Sequence, residues 1–275
     1  MDNTILGYIS SVNTAVWIIP LVIIVYMLIK RKFKFRQLVM GILSYMMLYV
    51  VQQLLLTAVS LPFGKLVGDN TVIAVAIYAV VVPPVAVFGT YLLYKRVIED
   101  KGWFGAIGYG LGQSYALIIS ELGMKLLSNM FMAVMITDGG ASGLSGEQLE
   151  VYKNAEAMLK SQTGSFYICI GIAAVMIFIF NMVNVLLVRK TEESGKKIPI
   201  ILSYVLYTLM YTLFTISAYA GMENLIVIIL MIGVIAFSVY YLTKSYDAQD
   251  TSDEYISRPS PLLGRNTDKR YRKKK

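Results

Sequence analysis

Long apolar runs separated by short polar segments are the feature that most constrains the fold of this chain. As α-helix, a run of ~20 apolar residues crosses a hydrocarbon core ~30 Å thick. The runs show no alternation of polar and apolar residues, which the strands of a membrane β-barrel would require. The sequence therefore predicts an all-α, polytopic transmembrane bundle of about seven spans, at residues 8–29, 38–60, 71–94, 104–124, 165–188, 199–220 and 225–243.

The basic residues predict how these spans are oriented. Most of the 25 Lys and Arg residues fall around 30–36, 95–101 and 189–197 and from 244 onward, which are alternate connections and the C-terminal end. Lys and Arg collect on the cytoplasmic side of membrane proteins, so the N-terminus is expected outside and the C-terminus in the cytoplasm. The net charge of +8 then follows from topology and indicates no nucleic-acid partner. The expected location is a bacterial plasma membrane.

The chain divides into a transmembrane helical domain, 1–244, and a polar tail, 245–275. The outer segment 137–164 begins with a glycine-rich stretch, after which the spacing of apolar residues predicts a short amphipathic helix from Glu147 to Lys160. The tail contains Pro259 and Pro261 and is expected to be disordered. Besides the bilayer itself, anionic lipids are expected partners of its basic end, which consists of Lys269, Arg270, Arg272, Lys273, Lys274 and Lys275.

Polar side chains inside the predicted spans are candidate functional residues, because placing them in a bilayer is costly. Glu121 is the only carboxylate within a span, and Lys125 lies four residues further on the same helix face. This spacing predicts an ion pair close to the outer interface. Span six adds a hydroxyl-rich face that favours helix–helix contacts. The intramembrane polar candidates are Gln52, Gln53, Glu121, Lys125, Asn181 and Asn184.

Spans three and four contain residues that alter helix geometry. Pro83 and Pro84 remove two helical hydrogen bonds, so the third span is expected to be kinked, and the freed carbonyls need partners or a cavity. Gly108 and Gly112 in span four are a pair of small residues that lets a neighbouring backbone approach closely. The prolines are compatible with a functional or a purely structural role.

The absence of histidine excludes several enzyme classes. Zinc sites of the His-Glu-x-x-His type and Ser–His dyads both need imidazole. A pair of membrane aspartates is excluded because every Asp lies outside the predicted spans. A Ser–Lys dyad of Lys125 with Ser120 or Ser128 remains open on paper. The sequence argues against an enzyme and predicts no catalytic residue, no metal and no cofactor.

The region from span three into span four resembles the YhfC family of intramembrane metalloproteases, which is distantly similar to the CAAX-protease and bacteriocin-processing membrane enzymes. The likeness rests on Gly-Thr-Tyr at 89–91 after the two prolines and on Tyr-Gly-Leu-Gly-Gln-Ser at 109–114. Members of that family carry a Glu-Glu-x-Gly-Arg-Tyr-like motif in one helix and a Gly-His-Gly-Gly-x-x-Glu-like motif in the next.

The resemblance implies a degenerate member whose metal ligands are missing. The family's arginine position is Thr90 here and its histidine position is Gln113, while its glutamates fall near Ala86, Val87 and Leu117. What remains is a metalloprotease-like helical fold without hydrolytic chemistry, a pseudoenzyme. Its vestigial site or cavity would be marked by Gln113, Gly112, Gly89, Tyr91, Pro83 and Pro84.

Three functions remain open at this point. The first is a non-catalytic membrane protein of YhfC-like fold that binds a peptide, a lipid or a membrane partner. The second is a transporter or permease subunit, in which the third span, Gln52, Gln53 and Glu121 line a path at mid-membrane. The third is a bacteriocin-immunity or export-accessory protein, by analogy with related families.

Overall fold

The computed structural model describes residues 3–63, 71–98, 102–138, 145–220 and 225–257, and all regular structure among them is helical. This confirms the prediction of an all-α fold with seven helical spans. The helices long and apolar enough to cross a membrane are Ile5–Ile29, Phe35–Ser60, Val75–Val97, Trp103–Thr137, Gly164–Ser194, Ile198–Ile216 and Ile226–Lys244.

In the part of the chain that the structure describes, ten α-helices and two π-helical segments make up these spans and the outer helix. The π segments are Val85–Gly89 and Ile119–Gly123. The α-helices are α1 (Asn3–Ile29), α2 (Phe35–Ser60), α3 (Thr71–Pro84), α4 (Thr90–Val97), α5 (Trp103–Ile118), α6 (Met124–Thr137), α7 (Glu147–Ser161), α8 (Gly164–Ser194), α9 (Ile198–Ala220) and α10 (Leu225–Ser257).

The fourth span is longer than its apolar run predicts. α5, the π segment Ile119–Gly123 and α6 form one helical run of 35 residues, Trp103–Thr137. The polar residues from Glu121 onward lower the local hydropathy, which is why the sequence places the end of this span near residue 124. Glu121 therefore lies near the middle of a continuous helical run, and not near its outer end.

The prolines of the third span do not end its helix. α3 passes through Pro83 and Pro84 into the π segment Val85–Gly89 and then into α4. A π segment is a local irregularity in the hydrogen bonding of a helix. The proline distortion expected in the third span is therefore present as this π segment. The π segment brings Gly89 and the start of α4 against α2.

Helix α5 lies between α2 on one side and α8 on the other. At the crossing with α2, a Cβ added to Gly112 would lie 2.1 Å from the carbonyl oxygen of Leu38. A Cβ added to Gly41 of α2 would lie 2.1 Å from the carbonyl oxygen of Tyr109. Two glycines thus let the two backbones touch, as predicted for Gly112, whereas Gly108 faces the ring of Phe33.

The outer helix predicted between Glu147 and Lys160 is present as α7. Its apolar side buries Tyr152 and Leu159, and it packs against α6. On its exposed side, Lys160 lies 2.7 Å from Glu156. The hydrogen bond from Lys160 holds the pKa of the Glu156 carboxyl below its usual value.

The chain forms two compact units, 1–238 and 239–275. α10 continues to Ser257, past residue 245, where the sequence predicts the tail to begin. The remaining tail, with the six basic residues expected to bind anionic lipids, lies outside the described residues.

Substituting Gly112 by Ala tests the contact between α2 and α5. The added methyl meets a backbone carbonyl, so the helices must separate, and such overpacking costs about 1–3 kcal/mol. We expect Gly112→Ala to lower the melting temperature of the detergent-solubilised protein. Gly233→Ala is the control, because a Cβ there meets no atom within 4 Å. Equal melting temperatures for the Gly112→Ala variant and the wild type would contradict the close contact.

Candidate functional site

A hydrogen-bonded polar network is buried where α4 meets α5. Gln113 is 2% exposed, and its Nε2 donates to Thr90 Oγ1 at 3.2 Å and to the Tyr109 hydroxyl at 3.3 Å. Ser44 of α2 hydrogen-bonds Tyr109, and the edge of the Tyr109 ring meets Tyr94 with ring centroids 5.5 Å apart. The network joins three helices through neutral amide and hydroxyl groups.

The side chains of this network are neutral amide and hydroxyl groups. Amide and hydroxyl groups that bond one another are satisfied, and they carry no charge at neutral pH. Within the described ranges no three His, Cys, Asp or Glu residues come together as a possible metal site. The hydrogen bonds around Gln113 link α2, α4 and α5.

The other residues expected around Gln113 divide into two groups. Gly89 and Gly112 both lie at the contact with α2, since a Cβ on Gly89 would be 2.3 Å from a methyl carbon of Leu48. Tyr91 is half-buried and takes no part in the hydrogen-bonded network as described. Pro83 is buried and Pro84 half-buried, at the end of α3.

A second polar site is a small cavity between α2, α3, α5, α8 and α9, with a volume of about 40 Å³. Glu121, on the π segment Ile119–Gly123, contributes a carboxylate to it. Such π segments are frequent at functional sites. The polar side chains that line the cavity are Tyr45, Gln52, Glu121, Asn181, Tyr207 and Tyr211.

Three of the six predicted intramembrane polar residues meet at this cavity. Gln52, 8% exposed, makes no hydrogen bond with any residue that the structure describes, whereas Gln53 faces outward. Asn181 lines the cavity and donates to Ser114 at 3.3 Å. The structure thus brings together Gln52, Glu121 and Asn181, which the sequence could not place relative to one another.

Asn184 lies apart from this cavity, one turn further along α8. Its side-chain oxygen accepts a hydrogen bond from the hydroxyl of Ser203 on α9. Its side-chain nitrogen is buried and has no partner among the described residues. The position ties α8 to α9.

The ion pair predicted between Glu121 and Lys125 is present, with Nζ 3.9 Å from Oε2. The Lys125 side chain is 73% exposed and that of Glu121 is 28% exposed. The ammonium group therefore points out of the bundle, while the carboxylate faces the cavity.

Aromatic rings form much of the cavity wall, and Tyr45 and Phe180 were not among the predicted site residues. Ring centroids lie 5.7 Å apart for Phe180 and Tyr207, 6.3 Å for Tyr207 and Tyr211, and 6.4 Å for Tyr211 and Phe214. The sequence signal for this wall is the four-residue spacing of the two tyrosines on α9, which places them on one helix face.

A larger cavity of about 340 Å³ lies between α1, α5 and α8. Its lining is apolar and includes Ala15, Ile19, Leu111, Val175 and Phe178. The volume is in the range of small-molecule sites in proteins. The sequence gives no signal for this cavity, because apolar residues around a gap and in a packed contact have the same hydropathy.

Comparison with known proteins leaves the chain without an assigned family. Its sequence matches no family model, and no curated protein or solved structure matches it. The buried network and the two cavities are the features from which a function can be inferred.

Proposed function

We propose that this chain is a non-catalytic membrane protein with a YhfC-like, intramembrane-metalloprotease-type fold that binds a lipid chain or an apolar peptide segment. The pseudoenzyme part of the proposal is supported by Thr90 and Gln113. These two residues occupy the arginine and histidine positions of the resemblance, and they hydrogen-bond each other at 3.2 Å. Two neutral groups that satisfy each other stand where a metalloprotease would need a ligand and its charged neighbour.

The observation that carries the binding function is the apolar cavity between α1, α5 and α8. Its rim residues Ile19 and Val175 are each 49% exposed, so the cavity is reached from the side of the bundle. For a helix that spans a membrane, that side faces lipid. The acyl chains of the bilayer fit the apolar lining, because burial of apolar surface needs no polar partner.

A zinc determination tests the pseudoenzyme proposal. Purified protein is expected to contain no stoichiometric Zn²⁺ by elemental analysis, because the imidazole ligand of the family motif is replaced by Gln113. Tightly held zinc at one equivalent per chain would contradict the proposal.

Substituting Ala15 by Phe tests binding in the apolar cavity. The ring fills space that a ligand would use, and excluding about two methylenes lowers the affinity roughly tenfold, at ~0.8 kcal/mol each. We expect native mass spectrometry of the protein released from membranes to show much less retained lipid for Ala15→Phe. Ala236→Phe on the exposed side of α10 is the matched control, expected to behave as the wild type. Equal lipid retention in both variants would sink the proposal.

The proposed setting is the plasma membrane of a bacterium, with the N-terminus outside and the C-terminus in the cytoplasm. Seven candidate spans among the described residues, an odd number, support termini on opposite sides, and the distribution of Lys and Arg supports this direction. The basic end of the chain would then face the anionic lipids of the inner leaflet.

Cysteine labelling tests this orientation. In a Cys169→Ala background, Lys153→Cys on α7 is expected to react with a membrane-impermeant maleimide in intact cells. Lys196→Cys, between α8 and α9, is expected to react only after the membrane is permeabilised. Both native side chains are exposed, so access across the membrane decides the result. The reverse pattern would invert the proposed topology.

The second candidate function is that of a transporter or permease subunit. It is favoured by one observation: Gln52 and Glu121 line the same cavity, with Glu121 near the middle of the fourth helical run. Transporters place their binding sites near the bilayer midplane, at irregular parts of their helices. A ligand at Glu121 is the first requirement of this candidate.

A further inference from the structure

The carboxylate of Glu121 has capacity for a second cation. Its ion-pair partner Lys125 lies 3.9 Å away, beyond ordinary hydrogen-bond length, and is mostly exposed. Attraction between opposite charges is stronger inside a protein than in water. A cation in the cavity would therefore meet a negative charge that the exposed lysine neutralises only in part.

Gln52 is the second observation that points to a ligand. Its side chain is buried, lines the cavity and has no hydrogen-bond partner in the described part of the chain. An amide that faces a cavity and has no protein partner there can hydrogen-bond a ligand. Its carbonyl oxygen can accept a hydrogen bond from an N–H donor, and Asn181 adds a second amide to the same wall.

The aromatic wall selects the type of cation. The rings of Phe180, Tyr207, Tyr211 and Phe214 form a contiguous series along the cavity. Aromatic faces attract ammonium groups, and rings grouped around a site are used to recognise such ligands. These faces supply few of the oxygen ligands that a hard metal ion prefers.

The size of the cavity limits the ligand further. One water needs roughly 10–15 Å³ of cavity volume. The cavity of about 40 Å³ therefore admits up to about three waters, or one ion that takes up the same volume. This volume favours a small ion over an amino acid or a sugar. A divalent metal is disfavoured because the cavity contains a single carboxylate.

We propose that the cavity around Glu121 binds one small ammonium cation, of the size of ammonium or methylammonium. Glu121 balances the charge, Gln52 and Asn181 accept N–H hydrogen bonds, and the rings on α8 and α9 contact the remaining face of the cation. This site shares Ile118 with the lining of the apolar cavity, and the proposal does not rest on lipid binding. It supplies the ligand that the transporter candidate requires, and binding alone is enough for the proposal to hold.

Isothermal titration calorimetry on the full chain in nanodiscs of neutral lipid tests the site. Methylammonium chloride is the probe, and NaCl and KCl at equal ionic strength are the comparison salts. We expect saturable binding of one methylammonium per chain and weaker binding of Na⁺ and K⁺. Glu121→Gln is expected to lower the methylammonium affinity at least about tenfold, because it removes the balancing charge.

Glu156→Gln is the matched control for Glu121→Gln. It removes a carboxylate from another Glu–Lys pair spaced four residues apart, on α7, with the two groups 2.7 Å from each other. This variant is expected to bind methylammonium as the wild type does. A similar loss in both variants would point to general surface charge and overturn the proposal.

Two substitutions at Tyr207 separate ring contact from coordination by oxygen. Tyr207→Phe keeps the ring and is expected to bind methylammonium with unchanged affinity. Tyr207→Leu removes the ring and is expected to lower that affinity several-fold. Gln52→Leu is expected to weaken binding and gives a second test if Glu121→Gln does not fold. The proposal fails if methylammonium shows no saturable binding or if Na⁺ binds equally well. It also fails if Tyr207→Phe lowers the methylammonium affinity as much as Tyr207→Leu does.

Discussion

Backbone contact between α2 and α5 is the constraint on which the arrangement of both polar regions depends. Gly41 and Gly112 let the backbones of the two helices touch. This contact fixes which residues of α2 lie opposite which residues of α5. Close to this contact, Tyr109 and Gln113 hydrogen-bond side chains of the neighbouring helices. Further along, Gln52 of α2 and Glu121 of the π segment that follows α5 line a common cavity. A larger side chain at Gly112 would therefore disturb both regions, although it belongs to neither.

The two buried glutamine sites differ in a way that separates a structural role from a binding role. Gln113 and Gln52 are both almost fully buried on neighbouring helices. The side-chain amide of Gln113 donates hydrogen bonds to Thr90 and Tyr109, so this polar group has its partners within the protein. Gln52 finds no such partner among the described residues and faces a cavity that also holds a carboxylate. The amide of Gln52 therefore has hydrogen-bonding capacity that a ligand in the cavity can use.

Hydropathy predicts the number of spans well because lipid contact demands long apolar helices. It does not predict the end of the fourth span, since Glu121 faces a cavity between helices and so does not stop the helix in lipid. The sequence also does not predict which of Gln52 and Gln53 is buried. Adjacent residues on a helix face different directions, and only the position of the packing partner decides which one points inward. The apolar cavity was hidden for another reason: a gap and a packed contact are lined by the same residue types.

Ile118 shows how closely the two cavities are related. It lies at the end of α5, directly before the π segment that carries Glu121, and it lines both cavities. One face of this part of the helix meets the apolar space beside α1, and another meets the carboxylate-bearing space beside α9. Among the lining residues that the structure describes, Ile118 is the one common to both cavities. In a close-packed interior, a shift of such a residue is felt on both of its sides.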